Sequence, residues 1–146
     1  MMQILVLFDG SENAMRAVNF TGQMVEKAAT EVKVTLLQVV GFWESAAWGF
    51  LTLPEEKQKE MIDRARQQAG RGMEKAEKLL AESGAAVEPI ILVGEPVATI
   101  IEYTEQAQPD LIVMGSRGMG PVRELVLGGI CHKVLQLAKQ PVVVVK

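Results

Sequence analysis

Four glycines and one arginine, close together late in the chain, carry the clearest chemical signal. Gly115, Gly118, Gly128 and Gly129 punctuate the stretch from Met114 to Cys131, and Arg117 stands between the first two. The apolar run Asp110-Leu111-Ile112-Val113 precedes them and has the length of a buried strand. An apolar-periodic segment reaching about Ala138 follows. Glycine admits positive φ and lets another group come close to the backbone. A strand end, glycine turns and a helix start together form a place where backbone N–H groups and the helix dipole converge on an anion. Glycines that merely turn the chain and cap helices would give the same spacing. Arg117 is placed to pair with phosphate oxygens; Arg123 reads better as a solvated side chain.

Three further residues could do chemistry. Asp9 ends the apolar run Ile4–Phe8 and could cap the next helix, touch a ligand, or both. Cys131 falls near a helix N-terminus, where a thiol pKa can be lowered; the plainer reading is a small buried apolar residue. His132 is the only histidine, and no cysteine cluster accompanies it, so a zinc site is not expected. It reads as a helix-surface residue. There is no GxxxxGK[ST] lysine and no GxGxxG spacing. No nucleophile with a base, and no pair of catalytic carboxylates, stands out.

The elements that must position these residues alternate. Ile4–Phe8 reads as a strand buried on both faces, the mark of a parallel sheet. Ser11 is placed to cap a helix whose inner face carries Ala14, Ala17, Val18, Thr21, Val25 and Ala28. Val32–Val40 is a second strand. An aromatic excursion, Gly41–Leu53, follows with Phe42, Trp43, Trp48 and Phe50; it could form a lid or a partner patch, and packing on the next helix is the simpler reading. Glu55–Ser83 is a long helix with Met61, Ala65, Ala69, Met73, Ala76 and Leu80 on one stripe. Gly70 and Gly72 predict a kink or break in it, and Gly84 suits its end. Val87–Val93 is the third strand. Pro96 opens a helix whose inner face is Val97, Ile100, Ile101 and Thr104, and Gln108-Pro109 stops it. Leu111–Met114 and Val142–Val145 are the last two strands.

This order predicts an α/β fold: an open, Rossmann-like five-stranded parallel sheet with helices on both faces, one domain over residues 1–146. Ligands of such folds sit at the strand carboxyl ends, where the strand order reverses. Asp9, Val39–Gly41 and the Gly115 turn all fall at such ends.

Apolar residues make up 49% and charged residues 23%, the balance of a globular chain. A net charge of −3 without a long basic run argues against a nucleic-acid partner. No apolar run nears the roughly 18 residues needed to cross a bilayer, so membrane insertion is not expected. The start of the chain lacks the features of a secretory signal, and a cytoplasmic protein is expected. A single cysteine excludes an intrachain disulfide.

Taken together, these residues resemble the universal stress protein family over nearly the whole chain. The resemblance rests on Val6-Leu7-Phe8-Asp9-Gly10-Ser11, on Leu36–Val40 and on Gly94-Glu95-Pro96. It rests also on the run from Asp110 to Gly118 and on the closing Pro-Val-Val-Val-Val. The family's ATP-binding branch carries Gly, two residues, Gly, nine residues, Gly, then Ser or Thr. Gly115, Gly118 and Gly128 keep this spacing, with Met119–Leu127 as the nine, but position 129 is Gly.

The resemblance implies a small ATP-binding stress-response protein, a nucleotide-dependent regulator or sensor without enzymatic turnover beyond slow ATP hydrolysis. It places Asp9 beside the adenosine, Val39 along the adenine, and Met114 and Gly115 at the base and ribose. Arg117, Gly118, Gly128, Gly129 and Ile130 would surround the phosphates, with Mg2+ or Mn2+ alongside. A homodimer through Val142–Val145 is implied as well. A hydroxyl at position 129 would contribute about 1 kcal/mol, or twice that to a charged acceptor. Its absence predicts binding about tenfold weaker, not lost, because backbone N–H groups remain. The alternative is a nucleotide-free dimeric interaction module of the same fold, reporting to a protein partner.

Overall fold

Strand edges and helix faces in this chain follow from what lies on either side of each segment. The computed structural model describes residues 1–41, 49–117 and 127–146. In chain order the elements are β1 (Met2–Leu7), α1 (Glu12–Lys27), β2 (Val32–Val40), α2 (Glu55–Glu82), β3 (Ala86–Val93), α3 (Pro96–Ala107), β4 (Leu111–Gly115), α4 (Gly129–Leu137) and β5 (Val142–Val145). The strands form one sheet in the order β3-β2-β1-β4-β5, and every pairing is parallel. This is the predicted fold class. The chain moves from β1 outward through β2 to β3, then returns to the other side of β1 for β4 and β5. The order therefore reverses between β1 and β4.

Each face of the sheet has its own core. Ile4, Val6, Val34, Leu36 and Val113 pack with Ala17 and Val18 of α1 and with Met73, Ala76 and Leu80 of α2. Leu5, Leu7, Leu37, Ile112 and Met114 pack on the other face with Ile100 of α3 and with Cys131 and Val134 of α4. Central strands covered on both sides have no polar face, which is why β1 and β4 read as unbroken apolar runs.

Helix ends are set by specific groups. The Ser11 side chain accepts the Ala14 N–H at 3.1 Å and caps α1. The Glu95 carboxylate caps α3, accepting from Val97 at 3.2 Å and from Ala98 at 2.6 Å, with Pro96 in the first turn. Gly84 takes φ 100° just beyond α2. Gln108 closes α3 at φ 45°, the one non-glycine residue with positive φ among those described. The left-handed conformation costs a side-chain-bearing residue about 1–2 kcal/mol, and glycine's extra chain entropy returns part of that. Gln108→Gly should therefore stabilise the fold by about 0.5–1 kcal/mol, read as a rightward shift of the urea unfolding midpoint at unchanged slope.

Several expectations are corrected. α2 runs unbroken through Gly70 and Gly72. Burial of Ala69, Met73, Ala76 and Leu80 around them outweighs a helix penalty of about 1 kcal/mol per glycine. Gly70 instead leaves a shallow groove of about 480 Å³ along β3, lined by Met73, Glu74, Glu77, Pro89 and Ile91. Met61 is 39% exposed, because the buried stripe of α2 begins only at Ala69. Ala28 is the exposed C-cap of α1, not part of its inner face. β1 starts two residues early, since Met2 already pairs with Val32.

The two sheet edges differ. β3 carries Pro89, which has no N–H to offer, beside the exposed Glu88, which pairs with Lys33 at 2.8 Å. β5 is four half-buried valines with no such residue.

Candidate functional site

The order reversal between β1 and β4 brings two strand ends and two helix starts together. β1 runs out at Phe8, and the Asp9 carboxylate accepts the Ser11 N–H at 2.9 Å. Gly10 takes φ 82° between them. This turn aims α1 back across the sheet, so Asn13 in its first turn meets the end of β4. The approach is tight: a Cβ on Gly115 would lie 2.8 Å from the Asn13 carbonyl carbon and oxygen. Glycine at 115 is thus required by packing, whatever else it serves.

β4 continues into Ser116, which is buried at 3% exposure. Its N–H donates to the Val145 carbonyl at 2.8 Å, and its own carbonyl accepts the Gly128 N–H at 2.7 Å. The second bond seats the start of α4 against the end of β4. Gly128 is the N-cap of α4 and supplies no side-chain cap. The N–H groups of Gly129, Ile130 and Cys131 come next, and a helix's first turn has no internal acceptors for them. A Cβ on Gly129 would meet nothing within 4 Å. Among the described residues, this helix N-terminus has no side-chain cap and nothing stands against Gly129 beside the strand end, a setting that suits an anion.

The sequence-predicted residues distribute as follows. Asp9, Gly115, Arg117, Gly128, Gly129 and Ile130 gather at the β1, β4 and α4 termini, Arg117 being exposed directly after Ser116. Gly118 lies outside the described residues, as do Arg123 and the aromatic residues Phe42, Trp43 and Trp48. Val39 is half-buried on the face covered by α3 and α4, where Ile130 also packs. Met114 is 4% exposed, so its side chain belongs to the core. The Gly128 N–H, counted from the sequence among anion donors, is committed to Ser116.

Two features were missed. Gly41 and Gly94 meet at the ends of β2 and β3, where any Cβ on Gly41 would overlap the Gly94 carbonyl oxygen; the Gly94 N–H donates to Val40 at 3.0 Å. A glycine beside a strand end signals such an approach, but its partner cannot be read locally. Gln58 in α2 donates to the carbonyls of Phe50 at 3.1 Å and Leu53 at 3.0 Å, pinning the segment before that helix.

Cys131 is the small buried residue of the plainer reading. It sits in the first turn of α4 yet is buried, and burial pushes the thiol up from its ordinary range. Iodoacetamide at neutral pH should label it more slowly in the folded protein than in an unfolded peptide. Below the ordinary thiol pKa of about 8.5, both folded and unfolded chains keep the proton. Above it the unfolded chain loses the proton first, so stability should fall as pH rises through that range. His132 is exposed on α4, as expected. Among the described residues, no three His, Cys, Asp or Glu side chains come together to hold a metal, and no helix is long and apolar enough to cross a membrane.

The sequence model of the universal stress protein family matches residues 1–146. The chain belongs to that family. The family member YxiE of Bacillus subtilis is 28% identical over 145 residues, covering 99% of this chain and 98% of its own. The solved structure of MJ0577 from Methanocaldococcus jannaschii superposes with a TM-score of 0.86 at 31% identity, over 99% of this chain and 95% of that one. A universal stress protein of Archaeoglobus fulgidus, solved in complex with dAMP, shares the fold at a TM-score of 0.70 and 21% identity, over 100% of this chain and 98% of that one. This family member thus keeps the family's α/β architecture across its described residues.

Proposed function

We propose that this universal stress protein binds an adenine nucleotide, ATP in the first instance, at the β1, β4 and α4 termini. It would act as a nucleotide-dependent regulator or sensor in the stress response, as a single domain over 1–146. The observation that carries this reading is the uncapped start of α4, held against the end of β4 by the 2.7 Å bond from Gly128 to Ser116. The open space at Gly129 fits a phosphate there, with Arg117 and the Gly129 and Ile130 amides around it. Val39, half-buried beside the crevice, fits the adenine, and Asp9 the adenosine end. The dAMP held by the Archaeoglobus relative supports the ligand class. Phosphates would bring their own Mg2+ or Mn2+, which suits a site with no cluster of metal ligands among the described residues. Among the described residues none in the crevice is set up as a nucleophile or base, and binding rather than turnover is the proposed activity.

The β5 edge supports a homodimer through Val142–Val145, because among the described residues β5 pairs on one side only, and its half-buried valines favour a second strand there. The cytoplasm is the expected compartment. A nucleotide-free interaction module is the second reading. It is favoured by Gly115, whose contact with Asn13 accounts for the glycine without a ligand.

Isothermal titration of ATP with magnesium into the parent and into Gly128→Val separates them. Saturable binding by the parent, lost in the variant, would support the nucleotide site. A folded, dimeric parent that releases no heat would leave the interaction module.

A further inference from the structure

We infer that occupation of the α4 N-terminus and pairing along the β5 edge are coupled through the backbone of Ser116. The inference rests on the reading above, that nucleotide sits at the start of α4 and a second copy on β5.

The link is a chain of two hydrogen bonds across one buried residue. The Ser116 N–H reaches the Val145 carbonyl at 2.8 Å, and the Ser116 carbonyl receives the Gly128 N–H at 2.7 Å. Val145 is the last residue of β5, and Gly128 is the N-cap of α4. Ser116 is 3% exposed, so water is poorly placed to replace either partner. A buried backbone group left without its partner is costly. The end of β5 and the start of α4 therefore have a common reason to stay docked.

β5 is the element that can let go. It has four residues, stands at the edge of the sheet and, among the described residues, pairs only with β4. Short edge strands open locally at low free-energy cost. When Val145 leaves, Ser116 loses its acceptor and the seat of Gly128 loosens. A second copy on the β5 edge holds Val145 in place and pre-organises the first-turn amides of α4. A ligand on those amides holds Gly128, and through Ser116 it holds Val145. Both events favour the docked state, so each should strengthen the other by one common factor.

The test is a dilution series by sedimentation velocity, with and without saturating ATP and magnesium. It is run on the parent and on Ser116→Pro, which removes the N–H but keeps the carbonyl. The preceding residue is Gly115, so the usual steric restriction before proline is relaxed. In the parent, nucleotide should tighten the dimer about five- to tenfold, within the usual span of such couplings. Dimerisation should also slow hydrogen exchange at the Ser116 and Gly128 amides. In Ser116→Pro the tightening should fall below twofold. A parent that binds nucleotide and dimerises with an unchanged dissociation constant overturns the coupling and leaves the proposed function standing. A parent that binds no nucleotide, or stays monomeric, overturns both. Should Ser116→Pro fail to fold, the parent's dissociation constants and amide exchange decide alone.

Discussion

Gly129→Ser should tighten ATP binding about tenfold. Position 129 begins α4, and a Cβ there meets nothing within 4 Å, so the side chain enters without displacing a neighbour. A hydroxyl beside the first-turn amides would donate to a phosphate oxygen. Hydrogen bonds to charged groups contribute roughly 1.5–3 kcal/mol, and 1.4 kcal/mol is a factor of about ten in affinity. Serine also suits a helix slightly better than glycine, so the unliganded protein should gain a few tenths of a kcal/mol. Titration calorimetry reads the first effect and thermal unfolding without ligand the second. Raised stability with unchanged affinity would mean that the phosphates do not lie beside α4.

Gly115→Ala should lower stability by about 1–3 kcal/mol, as overpacking of a tight contact does. The added methyl would stand 2.8 Å from main-chain atoms of Asn13. Asn13 cannot easily retreat, because Ser11 caps the same turn and Ala14 is buried in the core. For a chain of this size, the loss corresponds to a Tm lower by roughly 5 °C. Nucleotide affinity should fall too, since α1 and β4 would part where the crevice forms. The control is Gly72→Ala, on the exposed face of α2 with nothing within 4 Å of the new atom. There the same substitution should stabilise by about 1 kcal/mol, through helix propensity alone. Opposite signs for one chemical change would locate the effect in the Asn13 contact.

The fold was largely legible because burial on both faces leaves a local trace. β1 and β4 read as apolar runs, β2 by its apolar and β-branched content, and Ser11 announced α1 by its type and place. The misses share a cause: they depend on what lies opposite. Periodicity marks Met61 and Ala28 as one face of a helix, but it does not say where the opposing sheet ends. Gly70 and Gly72 break an isolated helix, not one anchored by Met73 and Leu80. The Gly128 N–H looked open because its acceptor, Ser116, is twelve residues away along the chain. Cys131 is buried, as its plainer reading had it, and burial opposes the lowered thiol pKa that a helix start gives in water. The candidate site was legible as glycine spacing, but not that Gly115 serves packing or that Met114 belongs to the core.

The unequal sheet edges bear on how large an assembly this fold can build. A sheet with two pairing-competent edges can add neighbours on both sides and grow without limit. Here Pro89 interrupts one edge with a residue that cannot donate, and the exposed Glu88 beside it would carry charge into any added strand. Only the valine edge is left to pair. Two copies meeting there by a twofold axis use up each other's partner and close the assembly. In the proposed dimer, growth by edge pairing would end at two, and a run of four valines, alone a hazard for fibril formation, would become a self-limiting junction.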